Sequence, residues 1–315
     1  MPFGQDMKEE QGMKDPNNLF IFAVNSIYLK YLKLIRVHQW IKNLFVFIPI
    51  FFSGKFADTH LLFLSFIGFL IFSFTASSIY IVNDYIDIEA DRSHPEKKNR
   101  PLASGEVSKT EAIVLFSLLT LAVAVLLTFF GNMQVIVIIS AYFLLNLAYS
   151  LKLKHVPIID ISIISVGFLF RVLLGGFITA ILVSDWTILL TFTLALILAL
   201  GKRRGELINA GLSGKTRKAL DGYNLEFLNI SIAVACTITI VCYVMYILTP
   251  EVQERMHKNI FYTFIFVFIG ILRYLQQTLV YGKTESPTSM IFKDIFLQIT
   301  LILWGISFLL LIYFK

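Results

Sequence analysis

The sequence predicts an all-α integral membrane protein, a bundle of nine transmembrane helices. Three observations carry that expectation: scarce charge, repeated apolar runs of spanning length, and cations gathered in alternate loops. Of 315 residues, 57% are hydrophobic and 15% charged, with a mean hydropathy of +0.76. Soluble domains carry roughly 25% charged residues, so a large soluble protein is excluded.

Apolar runs able to cross about 30 Å of hydrocarbon lie near 40–53, 61–82, 111–130, 134–150, 158–182, 186–201, 228–249, 259–281 and 291–314. The first is short and polar at its start. Lipid offers no partner to a backbone N–H or C=O, so spans of this length are helices. Ahead of them, residues 1–18 read as a polar, disordered tail. The stretch LFIFAVNSIYLKYLKLIRVHQW mixes cations with Leu, Ile and Tyr, as an amphipathic interfacial helix does. Residues 19–315 read as one transmembrane catalytic domain. Cys236 and Cys242 have neither CxxC spacing nor a nearby His, and read as membrane-buried thiols.

The loops differ sharply in charge. The N-terminal arm with 83–110, 151–157, 202–227 and 282–290 holds most Lys and Arg, whereas 54–60, 131–133, 183–185 and 250–258 hold Lys55, Arg255 and Lys258. The positive-inside rule makes the first set cytoplasmic, with the N-terminus inside and the C-terminus outside. The formal charge of +6 then reflects loops facing anionic headgroups, not nucleic acid.

Orientation does not explain the stretch NDYIDIEADRSHPEKKNRPLASG, Asn83–Gly105. At 3.6 residues per turn, with Asn83 at zero, Asp87 falls near ~40°, Tyr80 near ~60°, Asp91 near ~80° and Asp84 near ~100°, while Glu89 points away near ~240°. A helix end turning polar in water accounts for Glu89 and Arg92. It does not account for Asn83 and Asp84 at the lip of an apolar span, where a carboxylate is costly. An oxygen-only stripe suits Mg²⁺, which takes few protein ligands and shares its shell with phosphate. Lys97, Lys98 and Arg100 follow, either as a solvated basic loop or as partners for the outer oxygens of a diphosphate.

Asn83-Asp84-x-x-Asp87-x-x-x-Asp91 with Arg100-Pro101-Leu102-Ala103-Ser104-Gly105 resembles the signature of the UbiA superfamily of intramembrane transferases. Four segments are similar to its decaprenyl-phosphate phosphoribosyltransferase branch: RVHQWIKN (36–43), NDYIDIEADRSHPEKKNRP (83–101), YSLKLKHVPIIDI (149–161) and GKRRGEL (201–207). The resemblance implies nine helices around a cytoplasm-facing polar pocket. It implies Mg²⁺-dependent transfer of a 5-phosphoribosyl group from phosphoribosyl pyrophosphate to a polyprenyl phosphate, with release of pyrophosphate, in the cell membrane and in cell wall biogenesis. It also supports Lys42 at the donor's 5-phosphate, and a Tyr–Lys pattern that here pairs Tyr149 with Lys152 or Lys154.

Prenyl-diphosphate enzymes of the superfamily carry a second aspartate-rich motif after the sixth span. Here GKRRGELINAGLSGKTRKALDGYNLE has no DxxxD and six Lys or Arg. Cations there offset the repulsion between a diphosphate donor and a second anionic substrate. Lys154 and Lys202–Arg204 are therefore expected at the acceptor phosphate. Asp160 and Arg171 lie about 20° apart on one helix face, so Arg171 either pairs with Asp160 or reaches the donor's phosphates. Lys42 and Asn43 read as facing the bundle interior. His38 and His155 have no metal-ligand spacing.

The expected site is thus Asn83, Asp84, Asp87 and Asp91 for the metal, the aspartates being catalytic. Lys42, Tyr80, Lys97, Lys98, Arg100, Tyr149, Lys154, Arg171, Lys202 and Arg203 are expected at substrate. The alternatives are prenyl transfer to an aromatic acceptor, and a transporter. Charges clustered at one membrane face speak against the transporter.

Overall fold

The computed structural model describes residues 29–95, 97–213, 218–256, 258–282, 290 and 293–313. The polar tail 1–18, Lys215, Arg217 and Lys283 lie outside them. Among the described residues there is no strand, and eight helices are long and apolar enough to cross a membrane. We number their α-helical parts α1 (Thr59–Ile86), α2 (Lys109–Phe130), α3 (Met133–Leu151), α4 (Ile159–Thr179), α5 (Asp185–Ser213), α6 (Leu225–Ile247), α7 (Phe264–Leu275, within the span Lys258–Val280) and α8 (Ile295–Tyr313). A 3₁₀ turn, Lys258–Thr263, precedes α7, and a π-helical turn, Gln276–Val280, extends it.

The ninth expected span is the shorter apolar element Val37–Phe52. Its first eleven residues, Val37–Phe47, are 3₁₀, and only Ile48–Phe52 is α-helical. Pro49 sits at the start of that α segment, where its missing N–H costs nothing. A second departure concerns residues 202–213, expected as loop, which continue α5 to Ser213. Lys202, Arg203 and Glu206 form helices well. Lys202 and Arg203 both pair with Glu206 one turn on, so the helix outlasts its apolar stretch.

Helix ends follow local chemistry. Asn132 accepts from Val135 N at the start of α3, and Asn224 from Phe227 N at the start of α6, each satisfying an orphan donor of the first turn. Ser108 and Glu111 form a reciprocal capping box at the start of α2, through Ser108 N to Glu111 Oε2 (2.7 Å) and Glu111 N to Ser108 Oγ (3.2 Å). Arg100-Pro101-Leu102-Ala103-Ser104-Gly105 is one helical turn with Arg100 extended as N-cap, Pro101 first inside, and Gly105 left-handed at φ 83°. Proline forces its predecessor out of the helical region, and glycine takes positive φ without strain.

The contacts divide into two compact units. One holds the described residues of Met1–Ile41 with Ile71–Thr128, the other those of Lys42–Leu70 with Phe129–Lys315. The first is held by Leu34, Ile81, Ile88, Leu102, Val107, Ala112 and Leu119. Ile81 and Ile88, seven apart, share a helix face, so packing that face fixes the roll of the aspartate-bearing chain about its axis. Lys30 Nζ and Tyr31 OH both reach Glu111 Oε1 (3.0 and 2.5 Å) and tie the N-terminal arm to α2.

In the second unit α4 packs on α3, α5 and Ile48–Phe52, α5 on α6, and α7 on α8. A Cβ on Gly175 would lie 2.0 Å from Val46 O, so only glycine admits the short apolar element this close to α4. Gly175→Ala is expected to lower the detergent-solubilised protein's stability by about 1–3 kcal/mol, read as a drop in Tm. Gly305→Ala, whose Cβ would meet nothing within 4 Å, should leave Tm unchanged or raise it, since alanine favours helix by about 1 kcal/mol.

Candidate active site

The oxygen stripe forms where α1 ends. The helix is interrupted at Asp87, yet the i→i+4 ladder continues through it, from Asp87 N to Asn83 O (3.0 Å) and from Asp91 N to Asp87 O (2.8 Å). Asn83, Asp84, Asp87 and Asp91 therefore keep helical spacing across the break. Glu89 is exposed on the other side and pairs with Arg92 at 2.9 Å. Asp84 and Asp91 are each only 2% exposed.

Buried carboxylates need compensation, and here guanidinium groups supply it. Arg100 Nη1 lies 3.0 Å from Asp84 Oδ1 and 2.7 Å from Asp91 Oδ2, bridging the two. Arg36 Nη2 lies 2.6 Å from Asp84 Oδ1, with its guanidinium 4.7 Å from the centre of the Tyr80 ring. Lys97 Nζ stands 3.9 Å from Asp91 Oδ1, and Lys98 is exposed beside it. In the sequence Arg36 stands as a cytoplasmic cation and as the first residue of RVHQWIKN, with no role at the site. It adopts φ 53° at the end of a short helical turn, and its tie to Asp84 spans 48 residues, a separation that no local pattern encodes.

Among the described residues no three His, Cys, Asp or Glu side chains converge as a metal cage. The fit to a metal rests elsewhere. Asn83 Oδ1 is buried and has no hydrogen-bond partner, which costs roughly 1–3 kcal/mol unless an external group satisfies it. Asp87, one helical turn on, is half-buried. An amide oxygen and a carboxylate one turn apart suit Mg²⁺, which takes one or two protein ligands together with phosphate oxygens. Asp84 and Asp91, on the same stripe and more deeply buried, are held by arginine.

The second unit contains two further buried polar clusters. Arg171, 6% exposed, donates to Asn43 Oδ1 (2.8 Å) and to Gly167 O (2.6 Å), and lies 3.4 Å from Tyr142 OH. Its carboxylate alternative is corrected: Asp160 belongs to Arg203, whose Nε donates to Asp160 Oδ2 at 2.5 Å and whose Nη1 pairs with Glu206. Arg203 is itself 1% exposed. Expected at an acceptor phosphate, it is instead a buried ion-pair partner, because apolar helix packing around a carboxylate demands a cation inside. Arg204, 7% exposed, likewise faces inward, to Asn229 Oδ1 (2.8 Å) and Thr278 O (2.6 Å). Of this basic trio only Lys202 is exposed, 3.8 Å from Glu206. Tyr149 and Lys154 are half-buried, at the end of α3 and in the turn that follows, and Lys42 is half-buried in the first apolar element.

Tyr223 escaped the sequence reading. Its phenol donates to Asp160 Oδ1 (2.7 Å) and accepts from Ile158 N (2.5 Å). Burial, and then the bond to Asp160, push its pKa well above the usual tyrosine range, so it remains a protonated donor. Nothing in DGYN marks a tyrosine that pairs with a carboxylate 63 residues away.

A family model described as the UbiA prenyltransferase family matches residues 44–300. A decaprenyl-phosphate phosphoribosyltransferase of Mycolicibacterium smegmatis is 34% identical over 87% of this chain and 89% of its own length. One of Mycobacterium tuberculosis is 31% identical over 95% of this chain and 96% of its own. Among solved structures, a UbiA homologue from Archaeoglobus fulgidus bound to DMAPP and Mg²⁺ superposes with a TM-score of 0.65 at 17% identity, covering 91% of this chain and 100% of that one. That superposition shows the shared fold. With most of the chain matched in sequence, and the Asn83–Asp91 stripe standing where α1 ends, the protein belongs to the UbiA prenyltransferase family.

Proposed function

We propose that the protein transfers a 5-phosphoribosyl group from phosphoribosyl pyrophosphate to a polyprenyl phosphate of the decaprenyl type and releases pyrophosphate. The observation that carries this reading is the oxygen stripe Asn83–Asp91, with its orphaned Asn83 Oδ1 and the Arg100 bridge between Asp84 and Asp91. Two supports stand beside it. The curated relatives matched over nearly the whole chain are decaprenyl-phosphate phosphoribosyltransferases, and residues 201–226 carry cations and no second aspartate motif.

Asn83 and Asp87, with Asp84 and Asp91 on the same stripe, would hold Mg²⁺, which when bound neutralises charge on the pyrophosphate leaving group. Arg36 pairs with Asp84, and Arg100 with Asp84 and Asp91, which offsets the cost of burying those carboxylates. Lys97, Lys98 and Arg100 bind the outer pyrophosphate oxygens and are preorganised for the charge that develops there. Tyr80 orients the ribose, and Lys42 takes the 5-phosphate. An acceptor phosphate oxygen forms the new bond to C1 as the bond from C1 to pyrophosphate breaks, the electron pair leaving with pyrophosphate. The acceptor is already an anion at neutral pH, so no strong general base is needed. Tyr149, Lys154 and Lys202 bind that phosphate. Arg171, held by Asn43, Gly167 and Tyr142, keeps the first apolar element in register with α4. The reaction takes place at the cytoplasmic face of the cell membrane, with the N-terminus inside, where the sugar-phosphate donor is available.

The direct assay is purified protein with Mg²⁺, labelled phosphoribosyl pyrophosphate and polyprenyl phosphate. Label is expected in the lipid phase and should be lost with a chelator. Transfer from a prenyl diphosphate to an aromatic acid, with phosphoribosyl pyrophosphate untouched, would replace this reading with aromatic prenyl transfer.

Asp87→Asn and Asn83→Ala are each expected to lower turnover by about 10²-fold or more, the scale of losing one preorganised electrostatic contact. Glu89→Gln, on the opposite face, should keep near-wild-type turnover. Equal loss in all three at normal protein levels would show that the stripe is not the metal face. Arg100→Ala should raise the KM for phosphoribosyl pyrophosphate by roughly ten- to a hundredfold, the loss of a charge-assisted contact, and leave the acceptor KM within about threefold. Orientation is checked by single cysteines labelled on intact cells with an impermeant maleimide, the native Cys236 and Cys242 being buried. A cysteine at Glu254 should label from outside and one at Glu106 only after the membrane is opened. The reverse pattern would place the donor site on the wrong face.

A further inference from the structure

The turn that leads into α4 is strained. Ile158 has φ 67° and ψ −47°, and Ile159 N donates to Pro157 O at 2.8 Å, closing a γ-turn of the rare positive-φ kind. For a β-branched residue this conformation is a true outlier, and strain of this sort persists only where surrounding contacts over-determine it.

Those contacts are identifiable. The Ile158 N–H is taken by Tyr223 OH at 2.5 Å, and the same phenol donates to Asp160 Oδ1 at 2.7 Å. Asp160 is 0% exposed, and its other oxygen holds Arg203 Nε. Pro157 is pressed by the neighbour of Tyr223: a Cβ on Gly222 would lie 2.3 Å from Pro157 Cγ. The segment carrying Gly222 and Tyr223 therefore holds the strained turn at two points, the Pro157 ring and the Ile158 N–H.

The strained turn ends a short basic connection. Leu153–His155 is a single 3₁₀ turn between α3 and α4, and it carries Lys154, with Lys152 just before it. If Ile158 relaxed to an ordinary φ, the chain direction between Pro157 and α4 would change and Lys154 would swing with it. Asp160 ties two elements at once. Through Tyr223 it fixes the turn behind Lys154, and through Arg203 it fixes the α5 segment that carries Lys202. Both cations assigned to the acceptor phosphate thus hang from one buried carboxylate.

We infer that Tyr223 is a positioning residue for polyprenyl-phosphate recognition: its phenol locks the Ile158 turn and so sets where Lys154 stands. The inference rests on the acceptor-binding reading above. It assigns Tyr223 no contact with either substrate.

The test is Tyr223→Phe, which keeps the ring and removes the hydroxyl. The KM for decaprenyl phosphate should rise about tenfold, while kcat and the KM for phosphoribosyl pyrophosphate stay within about twofold. Direct binding of decaprenyl phosphate to detergent-solubilised protein, without donor, should weaken by a similar factor. Adding Ile158→Gly to Tyr223→Phe should recover most of that loss, because glycine holds positive φ without the phenol's help. Equal changes in both KM values with a lowered Tm would make Tyr223 a general structural residue and overturn the inference, as would unchanged binding. Should the wild-type protein not turn over phosphoribosyl pyrophosphate at all, the functional reading fails by itself, and the binding comparison still decides the role of Tyr223.

Discussion

Compensation of buried carboxylates by guanidinium is the constraint on which the rest of this structure depends. An ionised carboxylate in apolar surroundings costs several kcal/mol unless a cation and hydrogen bonds accompany it. In the first unit Asp84 and Asp91 share Arg100, and Asp84 also has Arg36. In the second, Asp160 is fully buried against Arg203 and Tyr223. Arginine serves here because its planar fork reaches two acceptors from one fixed position. These links lock short irregular segments onto long, mostly apolar helices.

The two networks differ in what they leave open. Around Asp160 every polar group named has a protein partner, and Arg203 is 1% exposed, so Arg203 supports its neighbours and offers no surface of its own to a ligand. Around Asp84 the compensation is incomplete: Asn83 Oδ1 remains buried without a partner, and Arg100 is 27% exposed. An arginine that bridges two carboxylates on one side and meets water on the other is placed to bind a phosphate without moving. Stability and chemistry draw on the same interaction, and the difference lies in whether the hydrogen-bonding capacity is used up within the chain.

The Arg203 result shows where charge reading misleads. A run of Lys and Arg after a span reads as a solvated anion-binding loop, yet α5 continues through it and turns Arg203 and Arg204 inward. Helical spacing presents Lys202, Arg203 and Arg204 to different directions, about 100° apart. Only Lys202 among them faces out. Removal of Arg203 would strand Asp160 and act on folding before it acted on any substrate.

The sequence by itself determined the helical class, the long spans, the polarity of the loops and the stripe from Asn83 to Asp91. These are properties of hydropathy and of 3.6-residue periodicity, and both are written within about thirty consecutive residues. It determined the turn Arg100–Gly105 as well, because proline and glycine restrict the backbone at their own positions. Only the tertiary structure decided that Arg36 and Arg100 converge on Asp84, that Asp160 takes Arg203 and not Arg171, and that Tyr223 secures the strained turn at Ile158. Those pairings join residues from 16 to 65 positions apart. Every arginine carries the same charge in the sequence, and which carboxylate it meets is set by how the helices roll and pack to bury their apolar faces.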